Sequence, residues 1–466
     1  MSPRIAIIGG GFTGTALAVH LARDGGQPLD IHLIEPAARP GGGVAYGLAG
    51  VEHRINVPAT RMTVFAETPD DFARWMAATG RDKADAEGWS APDDHYSRRL
   101  DFGAYMAALF DEAARRRPHG TTLAHHPTRA LSVRPTPGGW SVALDDGTAI
   151  TADIVALTAS HAAPAFRWPL LDGAEQHGGV IRDPWAPSLA TIPPDGTVFI
   201  AGTGLTMADT VVSLRRGGHR GRIIAVSRRA LLPRAHGVFG ADVTFPEPFP
   251  TDAIGTLRAL RRLIADCEHA GLGWHPGVDA FRNALRRLWP GLPFEEQRRA
   301  LRHLRAWWDV HRYRIAPQVD ALLRTGRKDG WLRVTSGRIE DIRVANNGLA
   351  VRWTPRGGTT EDLPVAAFVN CTGPDADLSR SRNPLFRDLI GQGTARPDRH
   401  RLGLDIDRDG RVINADGRAH ETLLVAGPLG RGHLGEVMGV PEASAHAREI
   451  AARIAALSLT PIAVNF

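Results

Sequence analysis

Two glycine-rich turns in this sequence have the residue spacing that binds the diphosphate of a dinucleotide. The first, "RIAIIGGGFTG", follows an apolar run with G-x-G-x-x-G and then helical periodicity. Its first glycine permits a tight turn, its second lets backbone N–H groups approach a pyrophosphate, and its third lets the helix pack closely on the strand. The phosphates would lie at the positive end of the helix dipole. We predict that this site is formed by Gly9, Gly11, Phe12, Thr13 and Gly14.

Glu35 stands at the end of the next apolar run, "DIHLIEP". A carboxylate at this position accepts hydrogen bonds from both ribose hydroxyls of a dinucleotide, and it would repel a 2′-phosphate. The first turn is therefore predicted to bind FAD or NAD rather than NADP.

The second turn, "VFIAGTGLTMAD", predicts nucleotide contacts from Gly202, Thr203, Gly204 and Thr206, although Met207 replaces the third glycine. The strand after it ends in a hydroxyl and two guanidinium groups instead of an acid. Such groups suit a 2′-phosphate, which indicates NADPH. A solvated strand end is the alternative interpretation. The residues concerned are Ser227, Arg228 and Arg229.

Short apolar runs alternate along the chain with stretches of helical periodicity, which predicts alternating strands and helices. These elements must position the two turns. The chain has 466 residues, which indicates two or three domains. We predict an α/β fold with two Rossmann-like dinucleotide-binding domains and a basic, tryptophan-bearing helical segment over 251–325. No run approaches ~18 apolar residues, so we expect no membrane-spanning helix. The first strand leaves no room for a signal peptide, so we expect a cytoplasmic protein.

Charge and cysteine content narrow the function classes further. The net charge of +6 comes from many arginines, which fits a nucleic-acid partner, small anionic ligands or an arginine-preferring genome. No RNA-binding signature accompanies it, so we expect no nucleic-acid partner. The two cysteines, Cys267 and Cys371, lie far apart in sequence. That spacing argues against a disulfide framework, a zinc site and a C-x-x-C redox pair, and we expect no metal.

The whole chain resembles the bacterial FAD-NAD(P)-binding flavoproteins, whose characterised relatives include flavin-dependent urate hydroxylases and amino-acid N-hydroxylases. The resemblance implies an FAD domain built from 1–162 and 366–466, an NAD(P)H domain from 163–250 and 326–365, and a helical insertion over 251–325. The matching pieces, in chain order, are "IGGGFTG", "GGGVAYG", "HRINVPATRM", "DPWAP", "GTGLTMAD", "SRRALLPRAH", "WWDVHRYRIAP", "NCTGP" and "GPLGRGHLGEVMGVPEAS".

Two of these pieces imply residues around the flavin. "HRINVPATRM" matches the segment beside the isoalloxazine in flavin monooxygenases; an ordinary loop rich in turn residues is the alternative. It implies flavin contacts from Asn56, Pro58, Thr60, Arg61 and Met62. The closing motif near the carboxyl end implies contacts from Gly427, Val440 and Pro441, where a helix start would face the flavin N1/O2 edge. Pro428 stands where such proteins usually have an aspartate that contacts the ribitol.

The resemblance implies an FAD-dependent, NADPH-using monooxygenase that hydroxylates a small anionic nitrogen-containing substrate, urate-like or amino-acid-like, through a flavin C4a-hydroperoxide. The alternative is an NAD(P)H oxidoreductase that passes electrons to another acceptor. The partners are then a small substrate and molecular oxygen, and a homodimer stays open.

Candidate residues for the chemistry come from basic side chains near the predicted flavin. Arg98 and Arg99 are candidate substrate clamps, with solvated surface as the alternative. We predict catalytic roles for Asn56, Arg61 and His161, although His161 could instead hydrogen-bond the backbone.

Overall fold

Two sheets rich in parallel strands carry the chain in the computed structural model, which describes residues 2–159, 162–185, 187–237, 242–345 and 348–459. The strands of these residues are β1 (Arg4–Ile8), β2 (Asp30–Ile34), β3 (Trp89–Ala91), β4 (Asp94–His95), β5 (Thr122–His126), β6 (Ala130–Thr136), β7 (Gly139–Leu144), β8 (Ala149–Ala152), β9 (Ile154–Leu157), β10 (Leu170–Leu171), β11 (Val180–Ile181), β12 (Val198–Ala201), β13 (Ile223–Ser227), β14 (Leu332–Ala345), β15 (Gly348–Pro355), β16 (Glu361–Val365), β17 (Ala367–Asn370), β18 (Arg411–Ile413) and β19 (Ala419–Val425).

Helices cover these sheets, and the chain between β13 and β14 adds five further helices within the described residues. The helices of the described residues are α1 (Phe12–Asp24), α2 (Asp71–Thr79), α3 (Arg99–Arg116), α4 (Leu205–Arg216), α5 (Ala253–His269), α6 (His275–Gly291), α7 (Phe294–His303), α8 (Arg305–Arg312), α9 (Pro317–Lys328), α10 (Pro384–Gly391), α11 (Arg431–Leu434) and α12 (Val440–Leu459). The helical segment predicted over 251–325 is present as α5 to α9.

The first sheet has the strand order β18-β19-β9-β1-β2-β5, and its ladders are parallel except for the β18–β19 pair. Its central strand β1 is the apolar run of the first glycine turn, because a strand covered on both faces needs apolar side chains on both. Helices α1, α3 and α12 pack together over one face. The first sheet therefore combines strands from both ends of the chain.

The second sheet has the order β11-β17-β12-β13-β14-β15-β16, with β10 added beside β14. Its ladders are parallel from β11 to β14 and antiparallel from β14 to β16. Two apolar clusters form the core on either side of this sheet. The prediction of an α/β fold with two Rossmann-like units is confirmed.

One strand lies in a different sheet from the one we predicted. The sequence placed the run after residue 366 in the FAD domain, but β17 pairs with β12 in the second sheet, Val369 lying beside Ile200. Both strands are apolar and fully buried, so either sheet could accept such a strand by composition. The chain therefore returns toward the first sheet only after Asn370.

Candidate functional site

The first glycine turn lies at the carboxyl end of β1 and depends on the absence of side chains. Gly9 has φ +107° and donates its N–H to Ile34 O at 2.9 Å. A β-carbon on Gly9 would lie 2.8 Å from the backbone N and Cα of Ala159. One on Gly14 would overlap the carbonyl oxygen of Gly9. The strand and helix therefore approach each other as the G-x-G-x-x-G spacing predicts.

Glu35 lies directly beside this turn. Its carboxylate accepts hydrogen bonds from the N–H groups of Gly10 (2.7 Å) and Ala37 (3.2 Å). These bonds fix the carboxylate at the carboxyl end of β2, next to β1, where the ribose of a dinucleotide bound to the turn would lie. The negative charge there favours a ribose with a free 2′-hydroxyl.

The amino end of α1 is open to an anion. Gly11 precedes the helix in an extended conformation, and no side chain caps the first turn formed by Phe12, Thr13 and Gly14. Its N–H groups and the helix dipole are therefore available to a phosphate. Gly43 approaches from the opposite loop, where an added β-carbon would lie 3.1 Å from Gly11 Cα. These features fit a bound diphosphate.

The carboxyl-terminal loop closes on the same turn. Gly427 has φ +82° and lies against Thr13. Its N–H donates to Nδ1 of His446, at 3.0 Å. Burial, together with the nearby Arg286, lowers the pKa of His446 to about 3, so the ring stays neutral and accepts this bond at physiological pH.

The second glycine turn repeats the geometry of the first on β12. Gly202 has φ +115°, donates to Val226 O at 2.7 Å, and leaves no room for a β-carbon beside Cys371 O. Gly204 precedes α4 in an extended conformation without a side-chain cap, and a β-carbon there would meet nothing within 4 Å. The space in front of Gly204 is therefore open, as a bound diphosphate requires.

The missing third glycine of this turn has a local explanation. Met207 is fully buried in the core of the second sheet. Thr206, one position earlier in the first turn of α4, is partly buried, and its carbonyl accepts from the Thr210 hydroxyl at 2.8 Å. The helix thus buries a large side chain at the position where α1 needs glycine.

The turn after β13 presents two arginines to solvent. Arg228 and Arg229 are exposed, and neither forms an ion pair with any residue that the structure describes. Ser227 Oγ accepts from the N–H of Ala230 at 3.0 Å and lies 2.9 Å from Thr203 Oγ1. The two hydroxyls therefore hold the shape of the turn, and the nucleotide contacts predicted for them and for the two guanidinium groups stay predictions.

The segment that we predicted beside the isoalloxazine is only partly accessible. Pro58 is buried and precedes the short 3-10 helix Ala59–Arg61, in which Thr60 is exposed. Met62 is 3% exposed and packs in the core of the first domain. We predicted that Pro58 and Met62 contact the flavin. Their side chains are instead buried against other parts of the protein, so this prediction is corrected.

Arg61 lies near the helical insertion, and the backbone of Asn56 contacts the second domain. Burial lowers the pKa of the Arg61 guanidinium, and the charges acting on it include Asp279 and Arg282 of α6. The backbone of Asn56 hydrogen-bonds the ring of His236 from the second domain. Burial and the neighbouring Arg314 lower the pKa of His236 to about 3. These two predicted catalytic residues therefore lie where the first domain, the second domain and the helical insertion meet.

The two predicted substrate clamps do not act together. Arg99 is buried and forms two hydrogen bonds to the carboxylate of Asp209, at 2.7 and 3.0 Å, while its Nε donates to Arg54 O at 2.8 Å. Arg98 is partly exposed and lies 3.6 Å from Asp85. The predicted clamp role of Arg99 is wrong, because an intramolecular carboxylate already occupies its guanidinium. His161 lies outside the described residues.

The start of α12 carries a buried ion cluster that the sequence analysis missed. Helix α12 begins at Val440, which is buried, and continues with the exposed Pro441. Arg312 of α8 contacts both Glu436 and Glu442, at 3.1 Å each. An acidic residue in a first helical turn is a signal that could have singled out Glu442. Its partner 130 residues away had no such signal.

The described residues contain neither a metal-binding cluster nor a membrane-spanning helix. Among the described residues, no group of three or more His, Cys, Asp or Glu side chains could hold a metal ion. Within that part of the chain, no helix has the length and apolar character needed to cross a bilayer.

Comparisons with known proteins agree with this geometry. Residues 6–162 match the model of the family described as FAD-NAD(P)-binding. This confirms the resemblance for the part of the chain that contains the first glycine turn and Glu35.

One curated relative matches part of the chain. Nitrosuccinic acid synthase of Aspergillus oryzae is 26% identical over 268 residues. The match covers 50% of this chain and 41% of that protein, so it spans about two fifths of the relative's length.

Two solved structures share the whole fold. The ornithine N-hydroxylase of Kutzneria sp. 744, a structure with reduced FAD, NADP⁺ and L-ornithine, has a TM-score of 0.64 at 14% identity and covers 97% of this chain and 99% of its own. The L-lysine 6-monooxygenase of Pseudomonas syringae has a TM-score of 0.62 at 19% identity, with coverages of 98% and 99%. At these identities the likeness establishes the two-domain fold.

Proposed function

We propose that the protein is an FAD-dependent, NADPH-using monooxygenase that hydroxylates the nitrogen of a small, amino-acid-like substrate. The observation that carries this proposal is the pair of matched glycine turns. Gly9 and Gly202 have nearly the same φ, +107° and +115°, and the glycine two positions after each begins an uncapped helix. The first turn has Glu35 beside it and the second has two exposed arginines.

The difference between the turns supports the assignment of one nucleotide to each. A carboxylate beside the first turn suits the ribose of FAD, and guanidinium groups beside the second suit the 2′-phosphate of NADPH. When bound, the nicotinamide supplies electrons to the flavin, and the reduced flavin can pass them to oxygen. The protein's part is to bind both groups, orient them and exclude water.

The amino end of α12 supports a flavin in the first domain. Its first N–H groups lack intrahelical partners and place positive potential at the helix start. Ser444 of this helix donates to Val64 O at 2.6 Å, which attaches the helix to the segment that follows Met62. A negative charge developing on the flavin would be stabilised at such a helix start.

The amino-acid class of substrate is supported by the named relatives, and by the position of Arg61. The hydroxylases among them are named for ornithine and lysine, and the curated relative for nitrosuccinic acid. Arg61 lies in the first domain within the electrostatic reach of Asp279 and Arg282 of the insertion, and a guanidinium there suits a substrate carboxylate.

The purified protein tests the proposal in two steps. Flavin released by denaturation is identified, and NADPH is then added to the holoprotein under nitrogen, with and without ornithine, lysine, aspartate or urate. We expect FAD, bleaching of the flavin by NADPH, and a hydroxylated product on admission of oxygen, detected by mass spectrometry. Failure of NADPH to bleach the flavin under every condition would refute the proposal. Bleaching followed by turnover with artificial acceptors but no hydroxylated product would favour a reductase.

A further inference from the structure

The first turn of α3 contacts both of the helices that follow the glycine turns, α1 and α4. On one side, Phe102 stacks on Phe12, the first residue of α1, with ring centroids 5.8 Å apart. On the other side, Arg99 bonds Asp209, five residues after Gly204 on α4. Arg99 and Phe102 lie three residues apart, and therefore on neighbouring positions of one helical turn.

The contact with α4 is buried and has a fixed geometry. The side chains of Arg99 and Asp209 are 9% and 12% exposed, and the two parallel hydrogen bonds between guanidinium and carboxylate restrict rotation. Nε of Arg99 donates to Arg54 O, so a third bond attaches the guanidinium to its own domain. Removing either partner would leave a buried charge unpaired.

Neighbouring contacts extend the same interface along α4. His53 Nε2 lies 3.3 Å from Asp209 O and 2.8 Å from Ser213 Oγ, one helical turn further on. The backbone N–H of Arg99 also donates to His53 O, at 2.9 Å. His53, whose carbonyl holds the backbone of Arg99, therefore contacts α4 at two successive helical turns, at Asp209 and at Ser213.

The amino-terminal half of α3 also fits tightly against the loop that faces the first glycine turn. A β-carbon on Gly103 would lie 2.8 Å from Tyr46 O, and one on Gly41 would lie 2.6 Å from Met106 Cβ. Gly41 in turn donates to Gly10 O at 2.7 Å. A shift of α3 would therefore move both α4 and the surroundings of the first turn, because close-packed contacts transmit displacement.

We propose that Arg99 is a positioning residue: its ion pair with Asp209 fixes the orientation of the NADPH-binding turn relative to the FAD-binding turn and thereby the approach of nicotinamide to flavin. The inference rests on the function proposed above. In that reaction a C–H bond of the nicotinamide would break and an N–H bond on the flavin would form, so that the hydride carries two electrons from NADPH, which becomes NADP⁺, to the flavin, which becomes reduced. A transfer of this kind depends steeply on the separation and alignment of the two rings.

The test uses the holoprotein with Arg99→Gln, Asp209→Asn and the double variant, which removes both charges. Arg411→Gln with Asp407→Asn is the matched control, since that ion pair is also partly buried (24% and 21% exposed, 2.7 Å) but lies beside the edge strand β18 of the first sheet. The rate constant of flavin reduction by NADPH is measured anaerobically by stopped flow, and the dissociation constant of NADPH separately by fluorescence. Amide hydrogen exchange reports the interface without any nucleotide chemistry.

We expect the reduction rate constant to fall by about tenfold or more in all three Arg99–Asp209 variants, with little change in NADPH affinity. The amides of α4 and of residues 52–54 should exchange faster, while both sheets keep their protection. The control should reduce its flavin at close to the normal rate. The double variant leaves no unpaired buried charge, so we expect it to fold. If a single variant fails to fold, the reduction rate constant of the double variant alone tests the inference.

The inference is overturned if the double variant reduces its flavin at close to the normal rate, or if the control slows as much. If the unsubstituted protein is not reduced by NADPH, the proposed function fails, and hydrogen exchange alone then decides. Faster exchange confined to the α4 interface in the double variant would support the positioning role, and unchanged exchange would refute it.

Discussion

Gly427 lies against Thr13, so closely that a β-carbon on the glycine would be 2.7 Å from both Cγ2 and Oγ1 of the threonine. This contact joins the loop after β19 to the first turn of α1, although the two residues are more than 400 positions apart in the sequence. The carboxyl-terminal loop is thus packed directly against the first glycine turn.

Gly427→Ala should lower flavin content and the free energy of unfolding, because alanine meets both the contact with Thr13 and the strain of φ +82°. Backbone strain of this kind costs roughly 1–3 kcal/mol. Gly417→Ala is the matched control, since its φ is +85° but its nearest neighbour is the flexible end of Arg396 at 3.5 Å. Flavin-to-protein absorbance and thermal unfolding measure the two effects. Equal flavin content in both variants would contradict the contact's role.

Gly204→Ala should leave the fold and bound flavin unchanged and weaken NADPH binding, by about tenfold or ~1.4 kcal/mol. The new methyl group would meet no protein atom within 4 Å, but it would enter the space needed by the pyrophosphate. Gly14→Ala provides the contrast, because its methyl group would collide with Gly9 O and disrupt the first turn itself. Titration of NADPH against each holoprotein measures the effect, and unaltered affinity in Gly204→Ala would be evidence against a diphosphate at this turn.

Arg228→Ala and Arg229→Ala should raise the KM for NADPH and leave that for NADH unchanged. A charge-assisted hydrogen bond contributes about 1.5–3 kcal/mol, so each loss should amount to roughly tenfold to hundredfold. Arg222→Ala removes the same charge from an exposed position just before β13, at the opposite end of the strand, and should change neither constant. Steady-state kinetics with both nucleotides checks this, and an equal rise for NADH would mean that neither arginine recognises the 2′-phosphate.

Acidification should destabilise the protein between about pH 6.5 and pH 3, in part through His446. Its pKa is about 3 in the folded protein, where burial and Arg286 disfavour the charged ring. An unfolded histidine has a pKa of about 6.5. Below that pH the unfolded chain binds a proton that the folded protein does not, so stability is full above it and declines toward pH 3. The contribution of one such group is at most about 1.4 kcal/mol per pH unit.

His446→Gln should flatten this dependence, since an amide oxygen can accept the bond from Gly427 without titrating. The midpoint of thermal unfolding measured at several pH values provides the readout. His119→Gln, at an exposed position, serves as the control and should leave the slope as it is. A slope that is the same in all three proteins would show that His446 does not contribute.

Local signals allowed most of the fold to be predicted. The strands and helices at both glycine turns follow from apolar runs, glycine spacing and helical periodicity within about twenty residues. Strand β16 could not be predicted in this way, because "EDLPV" contains acidic residues and Pro364, which the edge of a sheet tolerates but which carry no strand pattern. The sheet to which β17 belongs depends on pairing with β12, which no local pattern encodes.

The candidate site could be predicted only where its residues are near in sequence or resemble a family motif. Arg99 next to Arg98 looked like part of an anion clamp, yet its function in the fold depends on Asp209, 110 residues away. The hydroxyls of Thr203 and Ser227 fit a ligand by type, but the fold uses them for each other. Residue type thus indicates what a side chain can bond, whereas tertiary packing decides which bond it makes.

The position of β19 inside the first sheet affects how the protein is made on the ribosome. β9 obtains its second neighbour only when residues 423–425 have been synthesised, whereas every strand of the second sheet lies within residues 170–370. The second sheet can therefore have all its strands available while residues 371–425 are still being synthesised. The first sheet is completed only when β19 has joined β9, so the two sheets become available for folding in the reverse of the order in which they begin.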